Sequence, residues 1–591
     1  MSIKRRIAQL RAHLEHNSLQ AFIVPRSDEY LGEYVPAHNE RLAFISGFTG
    51  SAGLAIVARE SAAIFVDGRY TVQVRSQAPA EIFEYCHSVT QETSTWISEH
   101  LPAGARVGID PKTISAREFQ KMTQALAPHK ITLVDVDPNP IDTIWTDRPL
   151  PAVSQVRLMP ARLTGEDSKS KRTRIGLALD KAGANAHLVF QLDNIAWLLN
   201  IRGADVPHLP VLQGAAILHV DGQLELFTDP RKLPNGFPAH VGDDVRVIEE
   251  SKLRQHLESL PAGTRLLIDE MNTNAFCLGA AAKGKAEVVT GEDPVQPIKA
   301  CKNTAELTGM RSCHIRDGAA VSRFLHWLHG EVNAGRFHNE ADLADRLEQF
   351  RSSDADLADS SFDTISAAGA NAAMPHYRHT NGTPAVTAPG MLYLVDSGGQ
   401  YLDGTTDITR TEAIGEPTSE QREMFTRVLK GHIALARAVF PKGTTGVQLD
   451  ALARQFLWAV GRDYDHGTGH GVGCFLSVHE GPQRIGKTSI RSCDLRPGMV
   501  LSNEPGYYKA GEYGIRCENL MVVVEREDGY LAFETITFAP FDHRLIDRSL
   551  LTQEEAAWLN HYHAEVRDKL SPHLEPRVRE WLLDVTPVLT V

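Results

Sequence analysis

The sequence predicts an α/β fold in three domains, two similar mixed-sheet domains followed by a larger one that carries the chemistry. Three observations predict it. The chain has 591 residues, which at roughly 150 residues per domain is three or four domains. Its first half alternates short apolar runs with helical patterns, in the same order twice over. Two proline-rich passages, DPNPIDTIWTDRPLPAVS and PVQPIKACKN, interrupt that alternation and mark the boundaries.

The N-terminal stretch MSIKRRIAQLRAHLEHN reads as an amphipathic helix with Ile3, Ile7, Leu10 and Leu14 on one face. LQAFIVP and SAAIFVD follow as strand-type runs, and SAREFQKMTQALA as a helix. The first domain is therefore 1–145. In the second, 146–298, SKSKRTRIGLALDKAGA is helical, AHLVF and AAILHV are strands, and DDVRVIEESKLRQHLESL returns to helix. No clear sequence repeat accompanies the shared order, so the two domains are expected to be structural duplicates only. The third domain, 299–591, opens on a helix with Asn303 as N-cap and Glu306 as its N3 partner. That helix runs through Leu307, Met310, Ile315, Val321, Phe324 and Leu328, the spacing of a buried face. LTQEEAAWLNHYHAEVRDKL reads as a C-terminal helix followed by a tail.

Composition narrows the function. Hydrophobic residues are 42% and charged ones 23%, which excludes a disordered or collagen-like chain. With 61 Lys plus Arg against 74 Asp plus Glu the net charge is −13, unsuited to nucleic acid or an anionic membrane. Seven cysteines without a CxxC pair suit a reducing compartment and exclude a disulfide scaffold. The N-terminus has no apolar signal core and no stretch nears the roughly 18 apolar residues of a spanning helix. A cytoplasmic protein is expected.

The chemistry concentrates in the last third. In MLYLVDSGGQYLDGTTDITRT a strand-type run ends at Asp396, glycines make a turn, and a Thr-rich strand carries Asp407. Side chains alternate along a strand, so Thr405, Asp407 and Thr409 share a face, and both aspartates reach one cavity if the strands pair. GMVLSNEPGYY and YGIRCENLMVVVE repeat the arrangement with Glu504 and Glu518; Arg516 shares the face of Glu518, and Cys517 faces away. Two hairpins, each with two inward carboxylates, make a cluster that cannot stay ionised without a counter-charge. A divalent metal supplies it. DYDHGTGHGVGCFLSVHEGP adds His470 from a segment too rich in glycine to be helical, where the backbone passes close to a neighbour. No HExxH is present. GPQRIGKT fits the pattern of a nucleotide phosphate loop, but Pro482 interrupts it and SIRSCDLRPG offers no following helix. No GxSxG serine elbow is present either.

The set VDSGGQYLDGTTDITRT, HGTGHGVGCFLSVHEGP, SNEPGYY and GIRCENL resembles the pita-bread metallopeptidases, and most closely the three-domain cytosolic Xaa-Pro aminopeptidases. FVDGRYTVQ, LDNIAWLLNIRGADVPHLPV and CHIRDGAAVSRFLHWL extend the resemblance over nearly the whole chain. The resemblance implies a dinuclear centre on Asp396, Asp407, His470, Glu504 and Glu518: Asp396 chelates one ion, His470 and Glu504 hold the other, and Asp407 and Glu518 bridge. Manganese is the metal it implies. One imidazole with four carboxylates suits Mn²⁺ as a donor set and does not separate it from Zn²⁺, Co²⁺ or Fe²⁺. The implied reaction is hydrolysis of the bond between a first residue and proline by a hydroxide bridging the two ions. Glu504 would accept its proton, with His376, His466 and His479 as outer-shell histidines that polarise the carbonyl and return a proton. Arg69, His376, His470, His479 and Arg516 are expected at the peptide, and the chain is expected to be a homodimer. The alternative within the same fold is an Xaa-Pro dipeptidase (prolidase). A methionine aminopeptidase fits the length poorly, and a non-catalytic relative would lack ligands that are all present here.

Overall fold

The computed structural model describes residues 1–489, 491 and 493–590, which fall into two compact units. The first is Met1–Met159 with Glu166–Val295, the second Pro160–Gly165 with Gln296–Val591. Within the SIRSCDLRPG stretch, Ile490 and Ser492 lie outside the described residues.

In the first unit, helix α1 (Ile3–His16) buries Ile7, Leu10 and Leu14. Six strands follow: β1 (Ala21–Pro25), β2 (Leu54–Ala58), β3 (Ala62–Val66), β4 (Glu84–His87), β5 (Arg106–Ile109) and β6 (Thr132–Asp135). They form one sheet in the order β4-β3-β2-β1-β5-β6. β1–β2 and β2–β3 are antiparallel, while β3–β4, β1–β5 and β5–β6 are parallel. The second sheet contains β7 (Ala186–Val189), β8 (Ala215–His219), β9 (Leu224–Phe227), β10 (Val245–Ile248), β11 (Arg265–Ile268) and β12 (Glu287–Thr290). Its order, β10-β9-β8-β7-β11-β12, and its strand directions repeat the first. The expected duplication is therefore present. Helices cover both faces, which is why the central strands are nearly all apolar rather than alternating. The duplicates also meet at equivalent points. Ser115 and Asn274 each cap a helix (Ala116–Leu126 and Ala275–Lys283), and Ala116 N donates to Thr273 O (2.9 Å) while Ala275 N donates to Ile114 O (3.0 Å). One expectation needs correction: DDVRVIEESKLRQHLESL is not one helix. Its β-branched first part forms edge strand β10 beside β9, and the helix is only Leu253–Glu258.

The second unit begins with α2 (Thr304–Asn333), closed at its start by the Asn303–Glu306 capping box. Met310, Val321, Phe324 and Leu328 are buried, with Leu307 and Ile315 at the margin of the core. Its strands are β13 (Leu357–Ser360), β14 (Ile365–Ala368), β15 (Leu392–Ser397), β16 (Gly399–Tyr401), β17 (Gly404–Thr405), β18 (Ile408–Ala413), β19 (Val439–Phe440), β20 (Gly469–Gly471), β21 (Glu480–Ile485), β22 (Val500–Asn503), β23 (Gly506–Lys509), β24 (Tyr513–Arg516), β25 (Asn519–Glu525) and β26 (Leu531–Thr535). The two expected hairpins take a more specific form. β15 pairs with β18, and β22 with β25, but each pair is joined through a small inserted hairpin, β16–β17 in one and β23–β24 in the other. The unit thus contains two strand–hairpin–strand motifs, one in the sheet β14-β15-β18 and one in the sheet β19-β26-β25-β22-β20-β21.

A helix at Glu340–Arg351 and helices α3 (Ser419–Ala436), α4 (Gly446–Trp458), α5 (Gln553–Leu570) and α6 (Pro576–Val585) belong to the same unit. The expected C-terminal tail is mostly helix α6, whose Val578 and Leu582 are buried in the same core as Leu559 and Tyr562 of α5. The phosphate-loop pattern is also resolved: Gly481–Ile485 of GPQRIGKT lie in strand β21, so no loop cradles a phosphate there.

Candidate metal centre

The four acids occupy equivalent places in the two motifs, at or beside the points where a long strand passes into or out of its inserted hairpin. Asp396 is the penultimate residue of β15, and Asp407 lies between β17 and β18. Glu504 lies between β22 and β23, and Glu518 between β24 and β25. There the chain leaves one ladder for another and a side chain is free to face the cavity. The register sets the face: Asp396 sits opposite Thr409, and Asp407 is two residues before Thr409 on the same side. Both aspartates reach one cluster, as expected.

His470 is brought to that cluster by its glycines. A Cβ at Gly469 would stand 2.0 Å from Ser502 O, and one at Gly471 would stand 2.3 Å from Glu480 O. Only glycine lets β20 approach β22 and β21 this closely. The His470 N–H donates to Ser502 Oγ (2.9 Å), which itself donates to Glu504 Oε1 (3.2 Å). Nδ1 of His470 meets Gly471 O at 3.0 Å. That contact commits Nδ1 as the protonated nitrogen and leaves Nε2 facing Asp407 Oδ2 (3.5 Å) and Glu504 Oε1 (3.4 Å). One ligand atom each of Asp407, His470 and Glu518 lies within 4.8 Å of the others.

Asp396 joins the set through Arg516. The guanidinium of Arg516 donates to Asp396 Oδ2 through Nη2, to Thr409 Oγ1 through Nε (3.2 Å) and to Tyr508 Oη through Nη1 (2.7 Å). Thr409 Oγ1 in turn donates to Glu518 Oε2 (2.6 Å). The alkyl and guanidinium parts of Arg516 are buried with the acids, so its donors are spent on orienting them. Cys517 faces away into the apolar core, where burial pushes its thiol up to about 12.

The electrostatics follow from burial. Burial raises Asp396 to about 6 against the pull of Arg516. Burial, with Asp407, Asp396 and Glu504 nearby, raises Glu518 well above the carboxylate range. Burial also opposes ionisation of Glu504, but the His470 imidazolium and the Arg516 cation outweigh it and bring Glu504 down. For His470 burial favours the neutral ring, yet Asp407 and Glu504 overcome it and lift the imidazole to about 9. The protein alone thus presents more negative charge than Arg516 can balance. Two buried carboxylate oxygens, Asp396 Oδ1 and Glu518 Oε1, have no hydrogen-bond partner among the described residues. Orphaned acceptors of this kind are rare in a folded interior, and they fit cation ligation. The donors are oxygen and imidazole, which suits hard or borderline divalent ions.

The other expected residues surround this cluster. His466, half-buried, meets Gly467 O through Nδ1 (2.7 Å) and Tyr508 Oη through Nε2 (2.8 Å). Burial and the Arg516 cation lower it to about 4, so it is a neutral ring. Its loop is fixed by Arg454, which donates to His466 O (2.8 Å) and to Asp450 and Asp463. His479 is exposed and packs edge-on against His470, with ring centroids 4.4 Å apart. His376 follows Pro375, whose carbonyl accepts from Arg516 Nη2 at 3.5 Å. Its segment is anchored by the buried Glu340, which accepts from Ala368 N (2.7 Å), Tyr377 Oη (2.7 Å) and Ala385 N (2.8 Å). Arg69 belongs to the first unit, where it forms a fork with Asp67 (Nη2–Oδ2 2.7 Å). Sequence reasoning missed Tyr508, Thr409 and Ser502. Tyr508 is the second tyrosine of SNEPGYY and Ser502 its first residue, while Thr409 shares the face of Asp407; in the sequence each stands out only as a neighbour of an acid.

Comparison with known proteins places this site. The sequence profile of metallopeptidase family M24 matches residues 308–525, and that of the C-terminal region of the same peptidases matches 529–589. Profiles of the creatinase/prolidase N-terminal domain match 6–145 and 147–306. A probable Xaa-Pro aminopeptidase P of Laccaria bicolor is 40% identical over 98% of this chain and 92% of its own. The chain belongs to metallopeptidase family M24. Aminopeptidase P2 of Arabidopsis thaliana is likewise 40% identical, over 96% of this chain and 86% of its own. Among solved structures, an X-prolyl aminopeptidase from Caenorhabditis elegans superposes with a TM-score of 0.94 at 33% identity, covering both chains completely. That protein is described as a cytosolic enzyme with a di-nuclear active site. The M24 catalytic fold is the pita-bread fold expected from the motifs, preceded by two creatinase-type domains. Among the described residues no helix is long and apolar enough to cross a membrane.

Proposed function

We propose that this M24 peptidase is a metal-dependent aminopeptidase that hydrolyses the peptide bond between an N-terminal residue and a proline at position two. The observation that carries the reading is the buried convergence of four carboxylates and one imidazole, with Asp396 Oδ1 and Glu518 Oε1 left without partners. The substrate class rests on full-length similarity to probable Xaa-Pro aminopeptidases P of fungi, an aminopeptidase P2 of a plant and an X-prolyl aminopeptidase of a nematode. The division into domains 1–145, 146–298 and 299–591 belongs to the same proposal.

Asp396, Asp407, His470, Glu504 and Glu518 would hold two divalent ions, Mn²⁺ before Zn²⁺, Co²⁺ or Fe²⁺ on the hardness of the donors. When bound, such a pair supplies Lewis acidity toward a carbonyl oxygen and lowers the pKa of water. The chain's own residues do the rest. Arg516 and Thr409 fix the carboxylates of Asp396 and Glu518, so the ligand set is built before metal arrives. Glu504 is the proton acceptor, kept ionised by His470 and the Arg516 cation. Neutral His466 sits behind Tyr508 and holds that phenol against Arg516. His479, exposed at the edge of His470, and His376 stand where a peptide enters; they orient the carbonyl and return a proton to the proline nitrogen. Arg69 is the proposed peptide contact from the first unit, in a homodimer.

The prolidase alternative requires a cation for the free carboxylate that follows proline. Arg516 is a guanidinium at the site, and its hydrogen bonds already run to Asp396, Thr409, Tyr508 and the Pro375 carbonyl. That favours the aminopeptidase. The test is one metal-loaded preparation assayed on Arg-Pro-Pro, Gly-Pro and Arg-Ala-Pro, with metal content and solution mass measured on the same sample. Arg-Pro-Pro should be cleaved, Gly-Pro weakly or not at all, and Arg-Ala-Pro not at all. Faster release from Gly-Pro would reverse the reading to prolidase.

A further inference from the structure

Arg410 of β18 is a cation with 1% of its surface exposed, and it makes no ion pair among the described residues. Its side chain leaves the sheet on the face opposite Thr409. Its five N–H groups reach six acceptors, all of them neutral. Nε donates to Pro540 O (3.0 Å), and Nη1 to Thr409 O (2.8 Å) and Glu518 O (2.7 Å). Nη2 donates to Asn519 Oδ1 (2.9 Å), Ala539 O (2.8 Å) and Tyr562 Oη (2.9 Å). The guanidinium carbon stands 4.1 Å from the centre of the Phe541 ring. Burying a cation without a counter-ion is expensive, so the position is explained by what a rigid five-donor fork can hold there.

What it holds is the backbone of the metal site. Glu518 lies in the gap between β24 and β25, where ladder hydrogen bonds do not fix it. Its carbonyl is held by Arg410, and its own N–H donates to Thr409 O at 3.3 Å. Thr409 O is therefore shared by Glu518 and Arg410. The same network reaches the other glutamate: the Asn519 amide meets His432 Nε2 (3.3 Å), and His432 Nδ1 meets Asn503 O (3.0 Å), the residue before Glu504. The Asn503 amide returns a hydrogen bond to His432 O (2.9 Å). The brace behind Arg410 comes from the C-terminal region. Tyr562 of α5 donates to Ala539 O (2.9 Å), accepts from Ala539 N (3.2 Å) and lies flat against Trp558.

We propose that Tyr562 and Arg410 are positioning residues, by which helix α5 of the C-terminal region holds the backbone of Thr409 and Glu518 in the geometry that ligates metal. The proposal rests on the metal reading of the site and adds a role for a segment that touches no ligand side chain.

Tyr562→Phe removes the hydroxyl and keeps the ring stacked on Trp558. Leu582→Ala in α6 is the control, since it weakens the same C-terminal core without touching the Arg410 network. For each variant and the wild type, chelated protein is titrated with Mn²⁺, and melting temperature, kcat and KM on Arg-Pro-Pro are measured. Tyr562→Phe should lose about tenfold or more in Mn²⁺ affinity and in kcat, with KM little changed, as partners behind metal ligands do. Leu582→Ala should lower the melting temperature at least as much while keeping wild-type Mn²⁺ affinity and kcat. The proposal is overturned if Tyr562→Phe binds Mn²⁺ and turns over like the wild type, or if Leu582→Ala loses both equally. A wild-type chain that binds Mn²⁺ but leaves Arg-Pro-Pro intact would overturn the substrate reading alone; one that binds no Mn²⁺ would overturn the metal reading and this proposal together.

Discussion

At the scale of single residues, His470 offers only Nε2 to a metal, because Nδ1 is committed to the Gly471 carbonyl. Nε2 faces Asp407 and Glu504, so neutralising Asp407 or Glu518 removes charge from the middle of the set. Asp407→Asn and Glu518→Gln should therefore lose metal and turnover together. His479 touches His470 ring to ring and is exposed. His479→Ala should keep its metal and lose on the order of 10²–10⁴ in rate, the range for a positioned proton carrier. Elemental analysis beside kcat separates the two classes, and a metal-free His479→Ala would remove that histidine from the outer shell. A buried acid elsewhere gives a stability prediction with a definite sign. Asp28 in the first unit is held at about 6 by burial, against the backbone N–H groups of Gly32 and Tyr30 that favour its ionised form. The folded chain thus binds the proton more tightly than the unfolded chain. The stabilisation is full below the ordinary carboxylate pKa and is lost as pH rises through 6. Asp28→Asn, with the Gln213 amide flipped to accept from it, should be more stable than wild type at pH 7 by on the order of 2 kcal/mol. Urea melts at pH 7 and pH 4 check it, and a gain that persisted at pH 4 would contradict the assignment.

Between residue and domain, the strand–hairpin–strand motif explains how much of the site could be read from sequence. Alternation along DGTTDITRT correctly gave the shared face of Asp407 and Thr409, and the glycines flanking His470 correctly signalled a close backbone approach. The inserted hairpins were not legible, because Gly399–Tyr401 and Gly404–Thr405 are too short to show a period. Arg410, Tyr508 and Tyr562 were not legible for a different reason. Periodicity reports that a side chain is buried and says nothing of its partner, and Tyr562 meets Arg410 across 152 residues of chain. The Glu480–Lys299–Lys302 cluster was hidden in the same way. Glu480 begins β21, next to His479, and pairs with both lysines; all three side chains are at most 1% exposed. Glu480→Gln leaves two buried ammonium groups without their carboxylate and should cost about 3–5 kcal/mol. Thermal unfolding of the variant against wild type measures this, and an unchanged midpoint would show that the lysines find other acceptors.

For the whole molecule, the repeated sheet order of the first unit was legible as repeated grammar, since a sheet covered on both faces demands the same apolar runs wherever it occurs. The proposed ligand set, by contrast, belongs entirely to the second unit: Asp396 through Glu518 all lie within Gln296–Val591. Metal bound by the folded chain stabilises it by RT ln(1 + [L]/Kd), about 2.7 kcal/mol at one hundred times Kd. That free energy acts first on the segments whose opening would release a ligand. In the chelated protein β15, β18, β22 and β25 carry buried carboxylates at or beside their ends that Arg516 and His470 balance only in part, and local opening there relieves the remaining repulsion. Loading with Mn²⁺ removes the incentive to open. Hydrogen exchange should therefore slow in residues 392–413 and 500–525 on metal addition, while β1–β6 and β7–β12 exchange at unchanged rates. Tyr562→Phe should reduce the protection gained at 519–525 more than that gained at 392–397, because Arg410 holds Glu518 and Asn519 directly and has no hydrogen bond to Asp396. Protection that rose equally in the first unit and the second, or that failed to rise in either pair of strands, would place the metal somewhere other than between the two motifs.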